Sequence, residues 1–348
     1  MPVRIFGRLW RGLASLKLTI ACLAALMALV LACTLTQASL GLYEAVRFYI
    51  RSPFLYAYFG DWKVPLFPGG ASVGLILLAN LAAAQFARLE LSWRKAGLWA
   101  VHFGLVFLFI GEYVTGMFQV ETQLAIEEGA TLNYSEDPRR LELAVIDETD
   151  PGYDQIYSIP QGLLRPGKTL APPQLPFAVR IERCSPPVLN ADGMVAGPGA
   201  VEIDIGGADP VMSLASDAQA RSFSRGKRRY RAALRLKRHY LPWSLTLKDF
   251  RHEIYPGTDI PSHFSSLVTL SNPSLGERRN VLISMNEPLR YGGKAFYQSS
   301  FGKEGTLSVL QVVENPGWLL PYLSCALMGL GLLAHFLRRL RGSVSGAR

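Results

Sequence analysis

The chain has 348 residues, 49% of them hydrophobic and 18% charged, with a formal net charge of +9. That is too apolar for an ordinary soluble protein of this length, and the apolar residues gather in four blocks, the pattern of a membrane protein with a soluble portion. Lys and Arg cluster beside those blocks, so topology explains the positive charge better than a polyanion does, and no nucleic-acid partner is expected. Four cysteines, Cys22, Cys33, Cys184 and Cys325, form neither a disulfide framework nor a CxxC redox motif.

Arg4, Arg8, Arg11 and Lys17 precede an apolar run over about 18–36. Leu31-Ala32-Cys33 approaches a lipoprotein cleavage site, but the run is longer than a usual signal core, so a retained first helix is expected. Cys22 and Cys33 fall on one face of it as small packing residues. Residues 39–70 read as an outer interfacial loop, rich in Tyr, Phe and Trp, with Leu40 to Ile50 as a short amphipathic helix. Pro65, Pro68 and Gly69-Gly70 break the chain before a second span over about 71–87, in which Asn80 and Gln85 are expected to bond neighbouring helices.

After a turn carrying Arg88, Arg94 and Lys95 comes the third span, about 97–117, with the sequence LWAVHFGLVFLFIGEYVTGMF over 98–118. Gly97, Gly104 and Gly111 recur every seven residues, a flat stripe that lets another helix approach. His102 and Glu112 are ionisable groups within the span, costly there and therefore functional candidates. The plainer alternatives are a histidine bonded to a neighbouring carbonyl and a protonated, hydrogen-bonded glutamic acid.

From 118 to 316 the pattern changes to period-two alternation broken by turn signals such as Pro-Gly and Gly292-Gly293, one β-rich domain. The clearest strand is Arg229 to Tyr240, with Tyr230, Ala232, Leu234 and Leu236 on one face. Other strands are expected at 141–146, 178–181, 201–205, 245–250, 266–270, 280–284 and 306–312. The basic face of 225–238 reads as a solvated or headgroup-facing surface, with docking of an acidic partner or a haem propionate as the other reading. His239, His252 and His263 match no zinc spacing, and no GxSxG, HExxH or phosphate loop is present. No catalytic residue is assigned.

Residues 317–348 hold a fourth span, about 318–337, and a short basic tail with Arg338, Arg339 and Arg341. The fold class expected is thus a membrane protein with four transmembrane α-helices plus one large extracytoplasmic β-rich domain. The positive-inside rule puts all basic ends, and both termini, in the cytoplasm, so the β domain lies outside the inner membrane. His102 and His335 then fall in the inner leaflet half, where two facing imidazoles can ligate a haem iron axially. For His335 the competing reading is a helix-end histidine snorkelling to the surface.

Several stretches resemble the ResB-like (ResB/CcsB) family of cytochrome c maturation: Ser15-Leu16-Lys17-Leu18-Thr19 opening the first span, WAVHFGLVFLFIGE in the third, DFRHEIYPGTDIPSHFSS (249–266), MNEPLRYGGKAFYQSSF (285–301), and Glu314-Asn315-Pro316-Gly317 leading into the last. Within the fourth of these, Asn286, Pro288, Leu289, Tyr291, Gly293, Phe296, Tyr297, Gln298 and Ser300 match the family pattern. The resemblance implies a subunit of system II cytochrome c biogenesis, working with a ResC/CcsA-like membrane protein to carry haem b outward to apocytochrome c. It makes His102 a haem-iron ligand in the membrane, with His335 or a partner histidine as the second. The chain's tryptophans are scattered, with no tryptophan-rich loop, so the resemblance also implies that this chain alone is not the complete attachment enzyme. Two other readings are an apocytochrome chaperone or complex-stabilising subunit that binds no haem, and an accessory subunit of a transporter or sensor.

Overall fold

The computed structural model describes residues 10, 12–60, 62–88, 92–173, 175–206, 211–257, 261–302 and 306–345. Arg4, Arg8 and Arg11, and the 258–260 piece of the 249–266 stretch, lie outside them, as do the side chains of Arg88 and Arg94. The described chain forms two compact units, residues 1–119 with 315–348, and residues 120–314.

The first unit is helical. Four helices are long and apolar enough to cross a membrane: α1 (Leu16–Leu40), α3 (Gly70–Arg88), α4 (Ala96–Phe118) and α5 (Leu320–Ser345). Their outward residues are apolar, as a lipid-facing surface requires: Leu31, Leu35, Ile76, Phe107, Leu330 and Phe336 are all exposed. Inside, Cys22 and Leu29 of α1 pack on Val73 and Leu77 of α3. Asn80 and Gln85 do tie helices together: Asn80 donates to the carbonyls of Leu13 and Ser15 and accepts from Thr19, and Gln85 donates to the Trp99 carbonyl at 3.4 Å. Bonding of this kind is what makes buried amides such as Asn80 tolerable, while Gln85 is bonded through Nε2 alone.

The segment between α1 and α3 is more ordered than an interfacial loop. A five-residue helix, α2 (Leu42–Val46), continues into a wide helical turn over Arg47–Arg51. An antiparallel hairpin follows, β1 (Phe54–Phe59) with β2 (Trp62–Pro68). Alternation had been hidden by Pro65 and Pro68, residues that a two-stranded hairpin tolerates because each strand is an edge. Gly69 and Gly70 do not merely break the chain. A Cβ at Gly69 would stand 2.1 Å from the Ser52 carbonyl oxygen, and one at Gly70 2.6 Å from that of Ile50, so the pair is the joint that seats the hairpin base against α3.

The glycine stripe of α4 is where α5 packs. Ideal Cβ atoms at Gly97, Gly104 and Gly111 would meet the Gly331 carbonyl oxygen at 2.6 Å, Met328 at 2.5 Å and Leu320 at 2.9 Å. The order of these contacts makes the two helices antiparallel. At their other ends the Asn315 amide donates to Thr115 Oγ1 at 3.2 Å, so the chain leaves α4 and re-enters α5 at neighbouring points.

The second unit is antiparallel β throughout. Its main sheet runs β13 (Glu277–Ser284), β12 (Pro261–Asn272), β11 (Arg228–Ile254), β4 (Thr131–Asp147), β3 (Val120–Glu127), β16 (Leu307–Glu314), β15 (Lys294–Gly302) and β14 (Leu289–Tyr291). Strands β5 (Gln155–Pro160) and β10 (Arg221–Arg225) extend it beside β4 and β11, and β6 (Thr169–Leu170), β7 (Val179–Ser185), β8 (Ala200–Asp204) and β9 (Met212–Ala215) form a smaller sheet. Two strands expected separately, at 229–240 and 245–250, are one 27-residue strand, β11. Its register against β4 shifts between Leu236 and Lys237 and again between Tyr240 and Leu245. Bulges bend a strand and raise its twist, and here they divide β11 between two cores. Tyr230, Ala232 and Leu234 enter one, with Val179, Ile181 and Ile203. Leu241, Trp243, Leu245 and Leu247 enter the other, with Leu124, Leu270, Phe296 and Leu310.

Gly331 has the reciprocal position to Gly97, its Cβ direction pointing 2.7 Å from the Gly97 carbonyl oxygen. Gly331→Val should therefore overpack the seam and cost about 1–3 kcal/mol. Gly329→Ala, which would meet nothing within 4 Å, should leave the protein unchanged or slightly more stable. Thermal unfolding of the detergent-solubilised protein, followed by circular dichroism, separates the two.

Candidate functional site

The candidate residues are taken from the membrane outward. His102 sits in the second turn of α4, half-buried, with its ring Nδ1 2.9 Å from the carbonyl oxygen of Leu98. With Nδ1 engaged by that carbonyl, Nε2 is the ring nitrogen left outside the bond. This is the arrangement metal-bound histidines use: one nitrogen hydrogen-bonded to fix the ring, the other left to ligate. The bland expectation of a carbonyl bond and the functional expectation of a ligand are therefore compatible.

His335 lies elsewhere on the helix pair. Its Cβ is 3.1 Å from the position a Cβ would take at Gly97, so it belongs to the α4–α5 seam. His102 is five residues beyond Gly97, about 7.5 Å along α4 and about 140° round it. It shares a stripe with Phe109, seven residues on, which packs toward the cluster of Cys22, Leu29, Val73 and Leu77. His335 therefore sits against the Gly97 side of α4, and His102 on a different side of that helix. The glycine stripe likewise leaves no room for a flat ligand, because α5 fills it. Glu112 stands on the exposed side of α4.

In the β unit, the basic face expected over 225–238 is partly neutralised by acidic residues of β4 and the position just after it. Arg228 pairs with Asp147 at 3.3 Å, Arg231 with Glu148 at 2.9 Å, Arg235 with Glu142 at 3.0 Å and Arg238 with Glu136 at 2.9 Å. Arg235 and Glu142, and Arg238 and Glu136, are direct cross-strand partners of β11 and β4, the positions at which opposite charges attract. Burial disfavours the charge on Arg238, but the hydrogen bond and charge of Glu136, together with Tyr134 and Tyr240, outweigh it and the guanidinium pKa is raised. Four of the basic residues of this stretch are thus held by carboxylates rather than presented singly to a ligand. His239 is half-buried in the same strand, and burial lowers its pKa; His252 stacks between Phe250 and Phe301. Among the described residues, no three His, Cys, Asp or Glu side chains are grouped to hold a metal ion.

The residues of the 285–301 stretch are structural joints. Leu289 and Phe296 are buried in the second core. Gly292 and Gly293, both at positive φ, form the two-residue turn between β14 and β15, the geometry such hairpins prefer. A Cβ at Gly292 would stand 2.1 Å from the Trp243 ring. Tyr291 donates to Glu277 at 2.7 Å and accepts from Asn272 at 2.9 Å. Gln298 accepts from the hydroxyl of Ser266 at 2.7 Å and donates to Ser308 at 3.1 Å, closing a buried polar network.

A model of the ResB-like family matches residues 212–309. Over that stretch the chain is similar to the ResB-like family. Over 97 residues, 28% of this chain, it is 40% identical to Protein NrfI of Wolinella succinogenes; the match spans 11% of that protein's length. The ResB-like segment runs from β9 into β16, so it contains most of the second core, the Tyr291 cluster and the Gln298 network, and neither His102 nor His335.

Two outcomes test these assignments. Glu142 is almost wholly buried and Arg235 nearly so; breaking such a pair by Glu142→Gln should cost about 3 kcal/mol or more, measured by denaturant unfolding of the intact protein. The hydrogen bond from Tyr291 holds the Glu277 carboxyl below its usual pKa. A depressed carboxylate pKa contributes stability above the unfolded value, about 4.3, that is lost as pH falls through the folded one. Tyr291→Phe should therefore lower the unfolding midpoint at neutral pH, and the gap to wild type should narrow at about pH 3.

Proposed function

We propose that this chain is a membrane subunit of cytochrome c maturation, acting with a ResC/CcsA-like membrane protein to hand haem b to apocytochrome c outside the inner membrane. In this reading haem is cargo and the chain is a non-catalytic subunit. His102 is the residue that meets it. The observation that carries the proposal is the His102 ring, anchored through Nδ1 to the Leu98 carbonyl within a span so that Nε2 lies outside that bond, in a chain with a ResB-like segment.

The residues fit half of a haem site. Neutral imidazole is a normal axial ligand for haem iron, and a span offers the apolar surroundings that a porphyrin face requires. The second axial ligand falls to the partner, since His335 lies on another face of the helix pair. The orientation follows from charge: Lys17, Lys95 and the Arg338–Arg341 group lie at the ends of the spans away from the β unit's two chain links, and the positive-inside rule assigns those ends to the cytoplasm. The β unit is then extracytoplasmic, where apocytochrome c would be met.

The test is the haem spectrum of the protein purified with and without its tryptophan-rich partner. Wild type with partner should carry low-spin, bis-histidine-type haem. His102→Ala should lose most of it, and His335→Ala should retain it. Equal haem in wild type and His102→Ala, or none in either with the partner present, would instead favour an apocytochrome chaperone that binds no haem.

A further inference from the structure

A cavity of about 590 Å³ opens at the basic end of the α4–α5 pair, lined by Trp93, His335, Arg338 and Arg339. None of the four is acidic. The Arg338 guanidinium donates to the Trp93 carbonyl, which ties the turn before α4 to α5 and sets one guanidinium at the cavity. The first turn of α4 comes close as well, since Gly97 packs against the His335 backbone. That helix begins without a side-chain cap, so the positive end of its dipole adds to the two arginines. Further up α5, Leu330, Leu332, Leu333 and Phe336 are exposed, an apolar surface continuous with the cationic one.

We infer that this cavity is a binding site for the phosphate headgroup of an anionic glycerophospholipid. Guanidinium groups match phosphate oxygens with paired N–H donors. Trp93 is 87% exposed, and tryptophan favours the headgroup level of a bilayer. Basic pockets between helices on the cytoplasmic side suit anionic lipid headgroups. A free phosphate would use the cationic part only; the exposed leucines and Phe336 supply what acyl chains need, and this favours the lipid. The inference does not depend on haem binding, and it gives His335 a role as a hydrogen-bonding group near a headgroup.

Native mass spectrometry of the full-length protein in detergent, titrated with phosphatidylglycerol or phosphatidylcholine, tests it. Wild type should retain one phosphatidylglycerol in preference to phosphatidylcholine. At about 1 kcal/mol for each basic residue near an anionic headgroup, Arg338→Gln should weaken binding about fivefold and the R338Q/R339Q variant roughly thirtyfold. Arg341→Gln removes the same charge from outside the cavity lining and should change binding less than about twofold. Circular dichroism checks that each variant is folded. An Arg341→Gln effect equal to that of Arg338→Gln would reduce the site to diffuse charge and overturn the inference. So would equal retention of the two lipids, or displacement of the lipid by millimolar inorganic phosphate, which would assign the cavity to the free anion.

Discussion

The helical unit depends on the close approach of two backbones. Gly97 and Gly331 each place a carbonyl oxygen where the other's Cβ would be, and helices in a membrane associate through this kind of packing because lipid gives them no hydrophobic drive to do so. The contact sets the register of α4 against α5. That register fixes which residues sit on the seam and which point away. His335 is on it and His102 is off it. It also brings Thr115 beside Asn315, so that both links to the β unit leave from adjacent helix ends.

In the β unit the comparable constraint is the pairing of β4 with β11. Each of these strands is long enough to serve two cores, and the register shifts at Leu236 and Tyr240 let one strand turn its apolar face to each in succession. At the crossover the alternation of charges matters as much as that of apolar residues. Arg235 and Arg238 can be drawn into the sheet only because Glu142 and Glu136 stand opposite them. A buried ion pair is weak evidence of stability, but removing one partner is costly, so this pairing acts mainly against alternative registers.

The four spans and the β-rich character of the middle of the chain were legible because length, apolarity and period two are local properties. So was the α4 stripe, since a seven-residue glycine repeat has one geometric meaning on a helix. What could not be read were facts about partners distant in sequence. Arg231, Arg235 and Arg238 looked like a basic surface because the acidic residues that neutralise them lie roughly a hundred positions earlier. The 54–68 hairpin is masked by its prolines, and β11 reads as two strands because its apolar phase switches from even to odd positions between Leu236 and Leu241, where the strand changes core. His102 and His335 share a depth in the sequence, but azimuth round the helix depends on the glycine seam, which places His335 against Gly97 and His102 about 140° round α4.

The residues behind the family resemblance divide by what they do. Thr19 bonds Asn80, Asn315 joins Thr115 and Gly317, Tyr291 links Asn272 to Glu277, and Gln298 closes a buried network. Each of these holds elements together, and a fold that must be kept will keep them whatever chemistry it serves. His102 is different. Its side chain contributes a bond only to its own helix, and an apolar residue would fill a membrane helix at less cost. A costly group that the packing does not need is the one that the function has to explain. In the proposed reading, His102, with Nδ1 committed to Leu98, is the one axial ligand this chain would supply. On that geometry, the proposed haem path is shared with a partner by construction, and neither protein's half would be a complete site.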